Sequence, residues 1–482
     1  MSSPKTNGYI QSLKWSDGVL LSLGPPITTF CLIGLEIGPL GAWGALAIWC
    51  MTSLIALAQN MIFADMALAL PGCSGGIGAF AHQAWRRDAT PLGAIAIFGY
   101  WTGWSFSLAV NGLQIGRLAQ AQWFPTWTGT VRLLGNEIGL PHCIAGLMMV
   151  VVFTINIRGV RLVASINRIA SCLLGVMALI CLVGPFFTVR LNFHDLHWHL
   201  PHTSAFTFFQ AMLVWSFIAS WTTYGTELCA TFAPEYHNPR FHIRLALLVS
   251  SMLVIGITIL SCVMLPATEG EAAINADPIG FYVDILNRII GPGLANIAIP
   301  VMCLAQFVAM GSAISGSSRA LHGLAARGLT VRQLDSINER GVPGRAMTID
   351  LVINLFIVFF ISDITGIIFA GNVGYILCII LALSGFIRLH YARRGAGGAP
   401  PWRMIGVAGV LTLFNMSMLV VGFCNPSLVG YGGRREQLIA LSAIVLALLM
   451  CLYRRGIQDK GGLRLRERDP EPALSVSPHN EA

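Results

Sequence analysis

Charge is what this sequence has least of: charged residues make up 11% of the 482 positions and hydrophobic ones 55%. A soluble domain carries roughly 25% charge, so soluble fold classes are excluded and the chain reads as a polytopic membrane protein. Lysine is nearly absent, with Lys5, Lys14 and Lys460 alone, so arginine supplies most of the formal charge of +8. That sum carries no nucleic-acid meaning, because the arginines follow the membrane. No CxxC pair occurs among the 12 cysteines, which are scattered singly and mostly lie in apolar runs. Small buried hydrophobes are expected of them, not a disulfide framework or a metal cluster. A Gly-x4-Gly-Lys-Ser/Thr loop is missing too, which argues against direct ATP drive. The opening MSSPKTNGYIQSLKW has no apolar core followed by a small-residue cleavage site, so no removable signal peptide is expected.

What is present is a series of apolar runs of spanning length. They fall near 17–38, 41–69, 91–120, 139–157, 168–189 and 205–232, then near 243–266, 291–318, 346–362, 365–388, 403–424 and 436–454. The expected fold class is therefore an all-α membrane protein of twelve transmembrane helices. Segment 1–16 and a polar, disordered tail at 456–482 flank a 17–455 domain. With both termini in the cytoplasm, only Arg117, Arg132, Arg190, Arg288, Arg434 and Arg435 fall on the far side, leaving 24 of the 30 Lys and Arg inside. That asymmetry obeys the positive-inside rule, with Arg434-Arg435 as a local exception.

The stretch Leu20 to Gly38 organises the rest. It is apolar enough to span, yet Gly24-Pro25-Pro26 lies within it. Two prolines after a glycine predict a broken or sharply kinked helix. Broken backbone at membrane depth persists only where protein buries it or a wet cavity lines it. A helix restarting near Ile27-Thr28-Thr29 would offer free N–H groups and a positive dipole end to an anion. A proline kink that serves packing alone is the other reading.

If spans one to five form a repeat (17–189), spans six to ten (205–389) should form its inverted partner, with 403–454 as extra spans. Span six should then also be interrupted. It is unusually polar across Ser216 to Glu227, where Ser220-Trp221-Thr222-Thr223-Tyr224-Gly225 gathers hydroxyls, a glycine and two ring systems. The plainer alternative is a continuous helix whose hydroxyls bond their own carbonyls, with Glu227 near the interface.

Four stretches carry a resemblance over nearly the whole chain. They are Phe63-Ala64-Asp65-Met66 with Pro71 and Ser74-Gly75-Gly76; Asn156-Ile157-Arg158-Gly159-Val160; Trp221 to Glu227 with Asn238-Pro239-Arg240; and Ser318-Arg319 through Arg327-Gly328, then Val342-Pro343. Together, in this order, they resemble the amino acid–polyamine–organocation superfamily of secondary transporters. The resemblance implies a five-plus-five inverted repeat with broken helices 1 and 6, and substrate held between those breaks. It also implies Trp221 over the substrate as part of a gate, Tyr224 shaping the side-chain pocket and Gly225 permitting the break. Where the family usually has a Gly-Ser-Gly run, this chain has about Thr28-Thr29-Phe30. The threonine hydroxyls would replace close backbone approach, or the substrate would be an amine without an α-carboxylate.

The expected function is secondary active transport of amino acids across the plasma membrane, most simply a bacterial inner membrane, by alternating access. A polyamine or organic-amine permease and an amino acid exchanger are the alternatives. The N–H groups near Ile27, Thr28 and Thr29 would take the carboxylate, and carbonyls around Ser220 and Trp221, with Thr222 beside them, the ammonium. Span three, with Trp101, Trp104, Ser105 and Asn111, would supply a third wall, Ser105 being the contact expected there. For coupling by H+ or Na+, Glu227 could carry a proton or serve structurally, and Ser312 and Ser315, one turn apart, could join span-one carbonyls around sodium. Glu36 and Asp65 are read as interfacial. An enzyme is not expected: the acids within spans are too separated for acid–base or metal chemistry. A receptor would need an appended signalling domain. No cofactor and no nucleic-acid partner are implied.

The loop His194-Asp195-Leu196-His197-Trp198-His199-Leu200-Pro201-His202 holds four histidines and an aspartate, ligands that suit zinc or copper. It lacks regular two-and-two spacing, and His with Trp is common at a membrane interface. No metal is assigned from sequence.

Overall fold

The computed structural model describes residues 5–6, 9–10, 13–22, 24–70, 76–133, 135–158, 172–173, 175–189, 191–201, 204–361, 363–392, 402–428, 430, 432–460 and 466–467. The described chain is an all-α membrane protein. Seven of its helical stretches are long and apolar enough to cross a bilayer. The remaining expected runs differ for identifiable reasons. Two are helices of 17 residues, Leu140–Asn156 and Gly344–Phe360, one lies partly outside the described residues at 159–171, and others are divided.

The first run is divided most. Helix α1 (Trp15–Leu21) ends before Ser22, and α2 (Gly24–Leu32) follows. The expected restart near Ile27 is thus corrected to Gly24. Proline fits the first turn of a helix, where its missing N–H has no intrahelical partner to lose. Pro25 and Pro26 therefore open α2 and do not break it; α1 ends upstream of them at Leu21, with Ser22 as its cap. Thr28 and Thr29 consequently sit inside the helix, not at its free N–H end.

Helix α3 (Gly34–Ala69) changes direction at Gly41, whose φ of 71° is open to glycine at little cost. Its N-terminal part follows α2 closely, and the longer part begins after the kink. After α4 (Gly76–Trp85) come α5 (Thr90–Ser105) and α6 (Ser107–Trp123), which meet at Phe106. An exposed hairpin, β1 (Thr130–Leu133) against β2 (Asn136–Gly139), leads into α7 (Leu140–Asn156). Arg435 bonds Asn136 Oδ1 at 2.8 Å and the Phe360 carbonyl at 3.0 Å, so this hairpin holds one member of the arginine pair that departs from the charge rule.

Helix α8 (Ala205–Thr223) passes into a 3-10 helix over Tyr224–Glu235, and α9 (Pro239–Glu269) follows. Asn238 caps α9 and Pro239 begins it, the arrangement that helix N-termini favour. Next are α10 (Glu271–Ala276), α11 (Phe281–Ala326, bent at Gly291), α12 (Gly344–Phe360), α13 (Ile364–Ala392), α14 (Trp402–Cys424) and α15 (Arg434–Tyr453). At 1.5 Å per residue the 46 residues of α11 would extend about 69 Å, far beyond a hydrocarbon core of about 30 Å, hence the bend.

The core is a close-packed bundle in which α13 lies against α5 and α9 against α3. Helix α13 is the most enclosed of the spans, with 89% of its apolar window buried. Glycine permits the α5–α13 approach: a Cβ on Gly99 would lie 2.2 Å from the Gly374 carbonyl oxygen. Small residues at such crossings let membrane helices pack by van der Waals contact. By contrast α14 and α15 are mostly exposed, as lipid-facing helices would be.

Two expectations change here. Glu36, read as interfacial, is buried beside Trp49. Arg466 and Glu467, placed by composition in a disordered tail, are docked: Glu467 N–H bonds the Arg86 carbonyl at 3.0 Å and Arg466 Nε the Asp88 carbonyl at 3.1 Å. Asp65 does sit at a partly exposed edge, paired with Arg244 at 2.5 Å.

Candidate functional site

The end of α1 lies against the segment where α8 changes from α-helix to 3-10, for the Ser22 hydroxyl donates to the Thr226 carbonyl at 3.4 Å. Polar side chains within α8 loosen its own ladder: Ser220 Oγ donates to the Phe217 carbonyl at 2.8 Å, and Thr222 and Thr223 donate to that of Ala219 at 3.3 and 3.2 Å. Such back-bonding weakens or bends a helix. The hydroxyls do bond their own carbonyls, and at Tyr224 the α-helix becomes 3-10, while Glu227 is buried and not interfacial. A long 3-10 run is uncommon and carries poorer hydrogen-bond geometry.

A cavity of about 40 Å³ lies where α2 and the α8 to 3-10 transition meet α5, α6, α11 and α13. That is room for about three waters, so the site as it stands is contracted. Thr28 on α2, Trp221 and Thr222 on α8, and Gly225 and Leu228 on the 3-10 segment line one side. The rest of the lining is Gly103, Trp104, Ser107 and Asn111 from α5 and α6, with Ala309, Ser312 and Ala313 from α11 and Tyr375 from α13. The lining is mostly apolar with a few polar groups, the usual character of a small-molecule site. Thr28 Oγ1 meets Asn111 Oδ1 at 3.5 Å, and Asn111 Nδ2 donates to the Ser107 carbonyl at 2.7 Å. Trp221 closes one wall with its indole N–H on the Gly103 carbonyl at 3.1 Å.

Among the expected site residues, Thr28, Trp221, Thr222, Gly225 and Ser312 meet at this cavity. The others are placed elsewhere. Thr29 is fully buried outside the lining, and the Ile27 side chain, like those of Gly24, Pro25 and Pro26, lies outside the described residues. Ser220 is held by Asn372 at 3.1 Å, away from the cavity. Tyr224 is buried behind the lining. Ser315 donates to Asn156 Oδ1 at 3.2 Å, so it does not share a site with Ser312. Glu227 is buried with Tyr375 and Trp104 as polar neighbours, and neither carboxylate oxygen has a well-formed hydrogen bond among the described residues.

Ser105 is also drawn off. It donates to Asp350 Oδ1 at 2.7 Å, as does Trp101 Nε1 at 2.7 Å, while Ser317 Oγ donates to Oδ2 at 2.9 Å. Asn354, one turn on, bonds Ser105 Oγ at 2.9 Å. This buried network joins α5, α11 and α12 beside the cavity, and the sequence reading did not single out Asp350. The signal was there: one acid in the middle of an apolar run, with an amide four residues later on the same face.

These features have a counterpart among known proteins. The amino acid permease family profile matches residues 13–449 of this chain. The chain belongs to the amino acid permease family. That family lies within the amino acid–polyamine–organocation superfamily, and its members are transporters, not enzymes. This permease is 22% identical over 353 residues to the amino-acid permease RocE of Bacillus subtilis, covering 69% of this chain and 70% of that one. It is 25% identical over 331 residues to the uncharacterized amino acid permease YecA of the same organism, covering 66% and 70%. A third relative there, the uncharacterized amino acid permease YvbW, is 25% identical over 296 residues, covering 60% and 64%. The permease is thus a multi-pass membrane transporter of the amino acid class.

Proposed function

We propose that this permease carries amino acids across a bacterial inner membrane by alternating access. The carrier would be twelve spans, with a five-plus-five inverted repeat and two further helices, and both termini in the cytoplasm. The observation that carries this reading is the cavity bounded at once by α2 and by the α8 to 3-10 transition. Interrupted spans meeting at a small cavity suit a zwitterion, because each interruption leaves backbone dipoles available near mid-membrane. Thr28, Asn111 and Ser312 would offer polar contacts to the carboxylate. Carbonyls around Thr222 to Gly225, with Glu227 behind them, would face the ammonium. Trp221 and the 3-10 segment form one wall of the cavity, and loading would move them apart. That motion would be the gating step.

Glu227 would be the coupling group. Glu227 is buried behind the cavity wall beside Tyr375 and Trp104, where a transferred proton would be felt by a bound substrate. The test is uptake of labelled amino acids into proteoliposomes of the purified protein, under an imposed proton gradient, a sodium gradient or neither. Saturable uptake of at least one amino acid, driven by the proton gradient, is expected. No uptake or exchange of any amino acid would overturn the reading, and accumulation driven by sodium alone would remove Glu227 from the coupling role.

A further inference from the structure

The loop ahead of α8 and the short helix after α9 bring three ligand groups together that sequence spacing does not connect. His197, His199 and Glu271 place a ring nitrogen each and a carboxylate oxygen within 4.8 Å of one another. They lie at the end of the first membrane segment remote from α1, since the His199 N–H bonds the Leu40 carbonyl at 2.8 Å and the Trp43 N–H bonds that of His197 at 3.2 Å. Glu271 is buried and firmly oriented. Its Oε1 accepts from the Ala42 N–H at 2.7 Å and the His197 N–H at 2.8 Å, which leaves Oε2 facing His197 Nδ1 at 3.1 Å. The two imidazoles stack with centroids 5.7 Å apart and planes 16° from parallel.

We propose that these three residues form a zinc site. Two imidazole nitrogens and one carboxylate oxygen are the donor set of an open zinc site with a water in the fourth position. Nitrogen donors favour zinc or copper over calcium and magnesium, which take oxygen ligands. A tetrahedral ion with bonds of about 2.0–2.1 Å needs its ligand atoms about 3.3 Å apart. The His197–Glu271 separation already meets that, and rotation of the exposed His199 ring closes the rest. The backbone N–H groups on Glu271 Oε1 are the kind of outer support that holds a metal ligand in place. A bound ion would tie the Gly41 turn, the histidine loop and α10 to one point, restraining the face of the carrier opposite its N-terminal segment. Glu271, the third ligand, stands far along the chain from the histidines, so the loop's own spacing does not show the site.

The test is calorimetric titration of zinc chloride into the tag-free, full-length protein in detergent, with the melting temperature followed in parallel. One zinc per chain with micromolar or tighter affinity is expected, and no comparable heat with calcium. His197→Gln and His199→Gln should each weaken that affinity at least tenfold. Glu271→Gln, which keeps an acceptor for the Ala42 N–H, should do the same while leaving the zinc-free melting temperature within a few degrees. His194→Gln should bind as the parent does, and loss of binding in His197→Gln/His199→Gln, which keeps the exposed thiols of Cys143, Cys172 and Cys424, excludes them as ligands. Affinity weaker than 100 µM, or zinc binding that survives the paired His197→Gln/His199→Gln change, would overturn the site.

Discussion

The Ser22 hydroxyl donates to the Thr226 carbonyl at 3.4 Å, so the gap between α1 and α2 is joined to the 3-10 segment after α8. Thr226 is held from a third direction as well. Asn60 Nδ2 on α3 donates to Thr226 Oγ1 at 2.7 Å and to Ser251 Oγ on α9 at 3.0 Å. Irregular backbone inside a membrane needs such partners, because no bulk water is there to satisfy it. Asn60→Ala should therefore lower the thermal midpoint in detergent by more than Ser22→Ala does. The expected cost is about 1–3 kcal/mol for the buried amide, whose loss leaves two hydroxyls without it. Equal midpoints for both variants and the parent would count against this bracing.

Trp221 bears on transport more than on folding. Its indole N–H on Gly103 ties α8 to α5 across the cavity wall. Trp221→Phe keeps an aromatic ring and removes that bond, worth about 1 kcal/mol or roughly a fivefold change. Initial uptake rates per reconstituted molecule should show such a rise in KM for Phe and near loss of transport for Ala. Parental kinetics in both would exclude Trp221 from the site.

Asp350 should matter mainly for stability. Removing its carboxylate strands Trp101, Ser105 and Ser317 as buried donors, and a buried donor left without its acceptor costs about 1–3 kcal/mol. Asp350→Asn keeps an acceptor and the shape, and the Ser317 hydroxyl can turn to accept. Its thermal midpoint should fall between those of the parent and Asp350→Ala. If the Asn and Ala variants melt with the parent, the network does not hold these helices.

Acid should weaken the face where α4, α11 and α15 end. Burial first, and then the charges of Arg327, Arg86 and Arg455, push the His82 imidazole down to about 3. Glu467, 4.0 Å from the ring, offsets little of this because Arg455 and Arg86 engage it at 3.1 and 3.5 Å. The folded chain thus favours neutral His82, and its contribution is complete above the unfolded value of about 6.5. It declines as pH falls from there toward 3, by about 2 kcal/mol at pH 5. Melting temperatures between pH 8 and 5 should therefore drop less for His82→Gln than for the parent. Identical slopes would show that His82 does not carry the effect.

Much of the fold was legible because its signals are local. Apolar runs of spanning length, Pro25-Pro26 and the hydroxyl-rich turn at Thr222 to Gly225 each act over a few residues. Thr28, Trp221 and Gly225 were picked out by such signals, and all three line the cavity. What was misjudged depends on where neighbours stand. Prolines break a helix in its middle and begin one at its start, and only the chain path decides which. Ser105 and Ser315 carry hydroxyls like Ser312, but Asp350 and Asn156 claim them from neighbouring helices. The pairing of His197 with Glu271 depends on α10 folding back against the Gly41 turn, and no residue spacing encodes that.

The central claim is that the cavity between α2, α8 and α11 receives the amino acid. Ser312 lines it from α11 and is not fully buried, so a larger side chain there can fill the space without entering the packed core. The decisive measurement is equilibrium binding of the transported amino acid to purified parent and Ser312→Leu proteins of matched melting temperature. One site per chain in the parent, with affinity reduced at least tenfold in Ser312→Leu, is the predicted result. Undiminished binding with that space filled would contradict the account.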